Sequence, residues 1–194
     1  MRKLSMRLLI VLLVFAGLSL AHPALAQSSA AAPQATPPAT AAPVANLPMQ
    51  TFTSDAGHFS AAFPGAPNQS SEVINLKNGE TTTLCEFTAE SDNHNTSYIV
   101  MYNDYQPDVI GAAPQTLLQR TEAGAVTGKT QLSDTVIDLN GVPGRAYSAV
   151  DSDGWHYQVR EYLSGARFYQ LIVTTAKGQT ATQIDEFMSS FHIL

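Results

Sequence analysis

The chain has 194 residues, with ten Lys and Arg against sixteen Asp and Glu, a net charge of −6. A negative field repels phosphate backbones and anionic headgroups, so nucleic acid and acidic lipid surfaces are poor partners. The one cysteine, Cys85, excludes an intramolecular disulfide.

Arg2, Lys3 and Arg7 precede an apolar run from Leu8 to Phe15, and Ala24-Leu25-Ala26 stands directly before Gln27. A basic start, an apolar middle and an A-x-A exit are the layout of a secretory signal peptide cleaved after Ala26. An uncleaved membrane anchor is the competing reading. A spanning helix needs about 20 apolar residues, and here Gly17 and Ser19 weaken the run and His22-Pro23 closes it. Those flanks favour cleavage. No Cys near residue 27 offers a lipid attachment point, and Arg2 and Arg7 are not adjacent, so a twin-arginine route has no support. The expected location is periplasmic or secreted, with no stable membrane insertion after cleavage. Loss of residues 1–26 removes three cations and no acid, leaving seven cations against sixteen acids, a net of −9.

Residues 27–47 carry no charge and no aromatic, and twelve of these twenty-one are Ala or Pro. Such a segment buries too little surface to offset its ordering entropy. It reads as a disordered spacer, extended by its prolines to about 60 Å at about 3.1 Å per residue. Residues 48–194 then make one domain, long enough to need no disulfide or metal to hold it.

That domain is mostly of period two. His58 to Phe63 is a strand stopped by Pro64-Gly65-Ala66-Pro67, and Glu72 to Leu76 is the next. Asn78-Gly79 turns the chain back into a strand from Thr81 to Ala89. Its set Thr83, Cys85, Phe87 and Ala89 is placed inward, with Leu84, Glu86 and Thr88 on the other face. Thr96 to Tyr105 is rich in aromatic and β-branched residues, hence a further strand, ended by Pro107. Pro114 opens a helix to Val126 whose inner face is Leu117, Leu118, Thr121 and Ala125. Strands follow at Thr130–Leu139, Gly144–Asp151, Trp155–Leu163 and Ala166–Thr174, punctuated by Asn140-Gly141, Asp153-Gly154 and Ser164-Gly165. A last helix runs from Thr180 to Phe191, with Ile184, Phe187, Met188 and Phe191 as its apolar stripe and Asp185 and Glu186 facing water. Hairpin-linked strands covered by helices define an α+β fold around an antiparallel sheet of six to eight strands.

Asp55-x-Gly57-x-Phe59-Ser60 leading to Phe63-Pro64-Gly65-x-Pro67 resembles the opening of bacterial envelope proteins of unassigned function. Later come Gly141-Val142-Pro143-Gly144-Arg145-x-Tyr147, then Arg160-x-Tyr162-Leu163-x-Gly165-x-Arg167-x-Tyr169-Gln170-Leu171, then Ser189-Ser190-Phe191. Together these resemble the family of PsbP, the photosystem II accessory protein, over most of residues 50–194. The resemblance implies an antiparallel sheet sandwiched by helices and a non-enzymatic binding or assembly role. It carries over no binding residue, because the shared positions are turn and core residues, and a shared fold does not transfer a partner.

The sequence holds no G-x-S-x-G, no H-E-x-x-H, no phosphate-cradling Gly-rich loop and no C-x-x-C. His58, His94, His156 and His192 lack ligand spacing, so no metal or other cofactor is expected. Asp151-Ser152-Asp153-Gly154 looks like the start of a calcium loop, but its twelfth position is Tyr162 instead of Glu and its Gly comes two residues early. The D-G pair reads better as a hairpin turn. Cys85 is either a nucleophile beside a His or a small core residue, and its alternating apolar context favours the core. The candidate binding surface is aromatic and basic: Tyr98, Tyr102, Trp155, Tyr157, Arg160 and Arg167, with Tyr105, Tyr162 and Tyr169 in the wider aromatic set. Core filling is the plainer reading for the rings. Arg145, Arg160 and Arg167 on successive strands would clamp a carboxylate if adjacent, or pair structurally with Glu161 or Asp151.

Three functions stay open. One is a tethered, non-enzymatic domain that binds an envelope protein or cell-wall component. Another is a small-ligand carrier with its pocket between sheet and helix. The third is a hydrolase whose nucleophile, Cys85 or a Ser, pairs with a distant His. Mass spectrometry of the exported protein should find Gln27 as its first residue; a chain still carrying Arg2 would establish the anchor instead.

Overall fold

A computed structural model describes residues 47–76, 79–91, 94–110, 113–179 and 183–194. The signal peptide, all of the spacer but Leu47, the Asn78 turn position and the start of the last helix at 180–182 lie outside the described residues.

Ten strands and three helices follow in chain order: β1 (Met49–Ser54), β2 (Phe59–Pro64), β3 (Asn68–Asn75), β4 (Thr81–Ser91), β5 (Thr96–Asp104), α1 (Pro107–Ile110), α2 (Pro114–Ala125), β6 (Thr130–Leu139), β7 (Val142–Val150), β8 (His156–Ser164), β9 (Arg167–Thr175), α3 (Ile184–Ser189) and β10 (His192–Ile193). Seven strands form one sheet in the order β3-β4-β5-β9-β8-β7-β6, and every neighbour is antiparallel. Two meanders, β3-β4-β5 and β6-β7-β8-β9, are each built from local hairpins. The β5–β9 ladder joins them, from Thr96 opposite Thr175 to Asp104 opposite Arg167. The α+β architecture with an antiparallel sheet is thus the one the sequence pattern implies.

The central strands explain the layering. Side chains of a strand alternate between faces, yet β5 from Tyr98 to Asn103 and β9 from Phe168 to Thr175 are buried throughout. Each face must therefore carry its own cover. On the first face lie Phe59 and Phe63 of β2, Phe187 of α3 and Phe191, packed on Phe87, Tyr98, Tyr102, Tyr162, Tyr169 and Leu171. The rings meet edge-on or stacked, Phe59 on Phe87 at 5.2 Å, Tyr98 on Phe187 at 5.4 Å and Tyr162 on Phe191 at 5.8 Å. Such pairs contribute about 0.5–1.5 kcal/mol each beyond their area. On the second face α1 and α2 set Val109, Leu117 and Leu118 on Tyr105, Leu163 and Phe168. Beside them Leu84, Ile99, Met101, Tyr147, Val159 and Ile172 form the rest of that core.

Several local expectations change. The cover of the first face is a second, three-stranded sheet, β1-β2-β10, together with the short α3. β1 has only Phe52 as a strong apolar signal, and β10 is two residues long, so neither pattern was long enough to read as a strand. The last helix ends at Ser189, and Phe191 reaches the core from the link to β10, which pairs with Phe59 and Ser60. Of the inward set of β4, Cys85, Phe87 and Ala89 face the first core while Thr83 is exposed, and Leu84 and Thr88 on the other side are buried as well, because helices cover that face. β3 begins at Asn68, four residues earlier than expected, as a polar edge strand.

Gly144 sits opposite Tyr162 where β7 pairs closely with β8. A Cβ there would meet the backbone oxygen of Glu161 at 2.5 Å and the ring of Tyr162 at 2.6 Å. Gly144→Ala should therefore destabilise the fold by about 1–3 kcal/mol, since the backbone contact leaves no room to repack; urea denaturation with an unchanged midpoint would refute this.

Candidate functional site

The cover of the first face stops short of one corner of the large sheet. Ser133 and Thr135 on β6, Ala146 and Ser148 on β7, and His156, Gln158 and Arg160 on β8 all point to that side and have no full layer above them among the described residues. Asp185 and Met188 of α3 form a wall, and Leu132 stands at the rim where a bulge between Gln131 and Ser133 shifts the edge strand. The half-open groove has a volume of about 430 Å³, inside the ordinary range for small-molecule sites. Its floor is polar because small hydroxyl and amide residues occupy the alternate positions. Ser133 Oγ and Ser148 Oγ share a hydrogen bond of 2.7 Å. Arg160 Nη1 donates to the Met188 carbonyl at 3.0 Å, which fixes the guanidinium against the wall.

The six residues of the expected surface do not converge. Tyr98 and Tyr102 are buried in the first core, and burial pushes the Tyr102 hydroxyl up to about 12. Arg167 forks onto Asp104 at 2.7 and 2.8 Å, with its guanidinium 4.8 Å from the centre of the Tyr102 ring. That pairing holds the Asp104 carboxyl below its usual range. Trp155 is half-buried beside the β7–β8 turn. Tyr157 belongs to the helix-covered face, donates to Asp151 Oδ2 at 2.8 Å, and lies under Lys129. Of the six, Arg160 and, from the edge of the helix-covered face, Tyr157 line the groove. Burial and strand propensity account for the others: rings on central strands are taken up by the core.

The arginines likewise do not form one clamp. Arg145, on the helix-covered face, is buried between Glu122 and Asp134. Neither Glu161 nor Asp151 holds an arginine. Asp151 caps its own turn, accepting from Asp153 N at 3.0 Å and Trp155 N at 2.9 Å while Gly154 adopts a φ of 84°. A carboxylate so engaged belongs to a hairpin turn. Cys85 is half-buried against the first core, opposite Tyr102. His156 and Ser148 are diagonal neighbours on one sheet face, with no hydrogen bond between them among the described residues. A second hollow of about 600 Å³ lies beside Asp104, Arg167 and Tyr169, whose polar groups are already engaged with one another and with Gly57.

Sequence reasoning missed two buried carboxylates under α2. Glu122, four residues after Leu118 in the helical repeat, holds Arg145, and Gln131 donates to it. Glu161 is fully buried. Its Oε1 accepts from Tyr147 Oη at 2.7 Å and Gln170 Nε2 at 2.8 Å. Its Oε2 lies 2.7 Å from Thr121 Oγ1, which is also 2.8 Å from the Leu118 carbonyl. A hydroxyl has one hydrogen. If Thr121 gives it to Leu118, only a protonated Oε2 completes the second contact. Burial, reinforced by nearby Glu122, pushes Glu161 up to about 7 despite its three hydrogen bonds.

No protein-family model matches the sequence, and no curated protein sequence matches it. Among solved structures the chain is similar to PsbP from the cyanobacterium Synechocystis, at 12% identity over 82% of this chain and all of that one, with a TM-score of 0.48. It is also similar to a protein of unknown function from Pseudomonas aeruginosa, at 14% identity over 66% of this chain and 83% of the other, with a TM-score of 0.38. PsbP is the family that the turn and core motifs resemble.

A carboxyl raised from 4.5 to about 7 on folding holds a proton that the unfolded chain releases in that interval. Stability attributable to Glu161 is greatest below pH 4.5, falls as pH rises to about 7 and is level above, a loss on the order of 3 kcal/mol. Glu161→Gln, whose amide donates to Thr121 permanently, should erase this slope between pH 5 and 8 and leave stability at pH 8 equal or higher. Urea midpoints across that range, equally pH-dependent in both proteins, would refute the assignment.

Proposed function

We propose that the chain is an exported, non-enzymatic accessory domain that binds a component of the cell envelope in the groove over β6, β7 and β8. The observation that carries this reading is the corner of the first sheet face left without a cover while both cores elsewhere are closed. It is concave and polar, and it contains Arg160. The polar groups buried under the helices are engaged with one another, whereas this open face is built from Ser, Thr, Gln, His and Arg, the side chains that recognise a polar ligand. The N-terminal signal layout and the Ala/Pro spacer support export on a tether. The absence of a catalytic motif in the sequence supports a binding role over a reaction.

The carrier reading moves with the same observation. The space between sheet and α2 is occupied by Leu117, Leu118 and the Glu161 cluster, so a ligand has its room on the opposite face. For a hydrolase, Cys85 lies outside the groove lining.

The test is amide shift mapping of the ¹⁵N-labelled protein against envelope fractions. Shifts should concentrate on β6–β8 and α3 and vanish in Thr135→Trp, where an exposed edge position lets a large ring fill the groove without disturbing the core. Shifts centred elsewhere, or none with any fraction, would overturn the reading.

A further inference from the structure

The three arginines of β7, β8 and β9 differ in one respect. Arg145 and Arg167 are each neutralised by carboxylates. Arg160, half-buried on the groove floor, has no acidic partner among the described residues. Of its five N–H donors, one goes to the Met188 carbonyl and the guanidinium also engages the Tyr162 hydroxyl, both neutral partners, which leaves its charge unanswered and its remaining donors open to a ligand. Asp185 stands on the wall of the same groove, one helical turn before Met188 and therefore on the same side of α3. No ion pair within 4 Å joins it to Arg160. The groove thus presents a cation and an anion to the same space without letting them neutralise each other. The same lining includes neutral hydrogen-bonding groups, the Ser148 hydroxyl and the Gln158 amide.

The surrounding charge narrows the ligand further. The chain carries a net of −6, so its long-range field opposes a purely anionic ligand, and a purely cationic one would leave Arg160 without an acid. A molecule bearing both charges meets neither obstacle. Resting on the groove-binding reading above, we propose that the site takes a small zwitterion, a free amino acid or a short peptide, with its carboxylate on Arg160 and its ammonium on Asp185. The planar fork of Arg suits a carboxylate bidentately. A volume of about 430 Å³ admits a ligand of that size.

Calorimetric titration of the exported chain with alanine, alanyl-alanine and the N-acetylated and C-amidated forms of each tests this. At least one unblocked compound should bind, and each blocked form should bind about tenfold more weakly or worse. Alanine alone would identify a free amino acid as the ligand, alanyl-alanine alone a peptide, and both a site that reads only the paired charges. Arg160→Gln should weaken binding of the amidated form less than that of the free form. Asp185→Asn, at an exposed position that leaves the fold intact, should do the same for the acetylated form. No binding at about 10 mM, or equal binding of blocked and free compounds, overturns the proposal. If in that case envelope fractions still shift the groove amides and Thr135→Trp still abolishes the effect, the groove-binding reading stands and the zwitterion assignment alone is lost. If those shifts are also missing, both fall.

Discussion

Everything in this fold depends on the pairing of β5 with β9. Two meanders, each complete in itself as a run of hairpins, become one sheet only through that ladder. Because both strands are apolar on both sides, the sheet cannot expose either face at its centre. The chain meets this with unlike covers. A two-helix segment between β5 and β6 lies over one side, and a small sheet with one turn-and-a-half of helix lies over the other. The second cover packs on the centre of the sheet and stops short of β6 to β8, and the uncovered corner is what it leaves open. The groove is therefore a consequence of layer geometry. Its polarity reflects that the same strands, a few residues further out, no longer have a core to fill.

The charges sort themselves by layer. Under α2 the carboxylates are each answered: deep Glu122 and exposed Asp134 by Arg145, and Glu161 by the neutral groups of Tyr147, Gln170 and Thr121. Isolated buried charge is costly, and groups in that position neutralise or pair. On the open corner the same residue types stand apart because water already satisfies them. Arg145, one strand over from Arg160 but on the other side of the pleat, thus has a different role.

Much of the architecture was legible in the sequence. The strands of the second meander were read within two residues, since their D-G, N-G and S-G turns fix both ends and their alternation is clean. The inner residues Leu117, Leu118 and Thr121 of α2 follow from helical spacing. What could not be read depends on contacts distant in sequence. β1 and β10 are strands only because β2 lies between them. Phe191 continues the apolar stripe of the last helix but leaves the helix to reach Tyr162. Glu161 looks like a surface acid in an alternating strand, and only the arrival of α2 from forty residues earlier buries it. The aromatic set was legible as a set, but its division between core and surface was not, because period two cannot say which faces are covered twice. Arg160 and Arg167 share a motif and a sequence spacing, and only the third dimension separates the one holding an acid from the one that lacks it.

The seam also governs how the molecule comes together. Its partners are 63 residues apart at one end, between Asp104 and Arg167, and 79 at the other, between Thr96 and Thr175. Each hairpin closes over a handful of residues, so the two meanders can form early and independently, while the ladder between them must wait for a long loop to close. Until it does, β5 and β9 each present an apolar strand with an unpaired edge, the surface on which chains join to one another instead of to themselves. The interval between the arrival of β5 and the arrival of β9 is then the vulnerable period of folding, and the one in which a chaperone would have the most to hold.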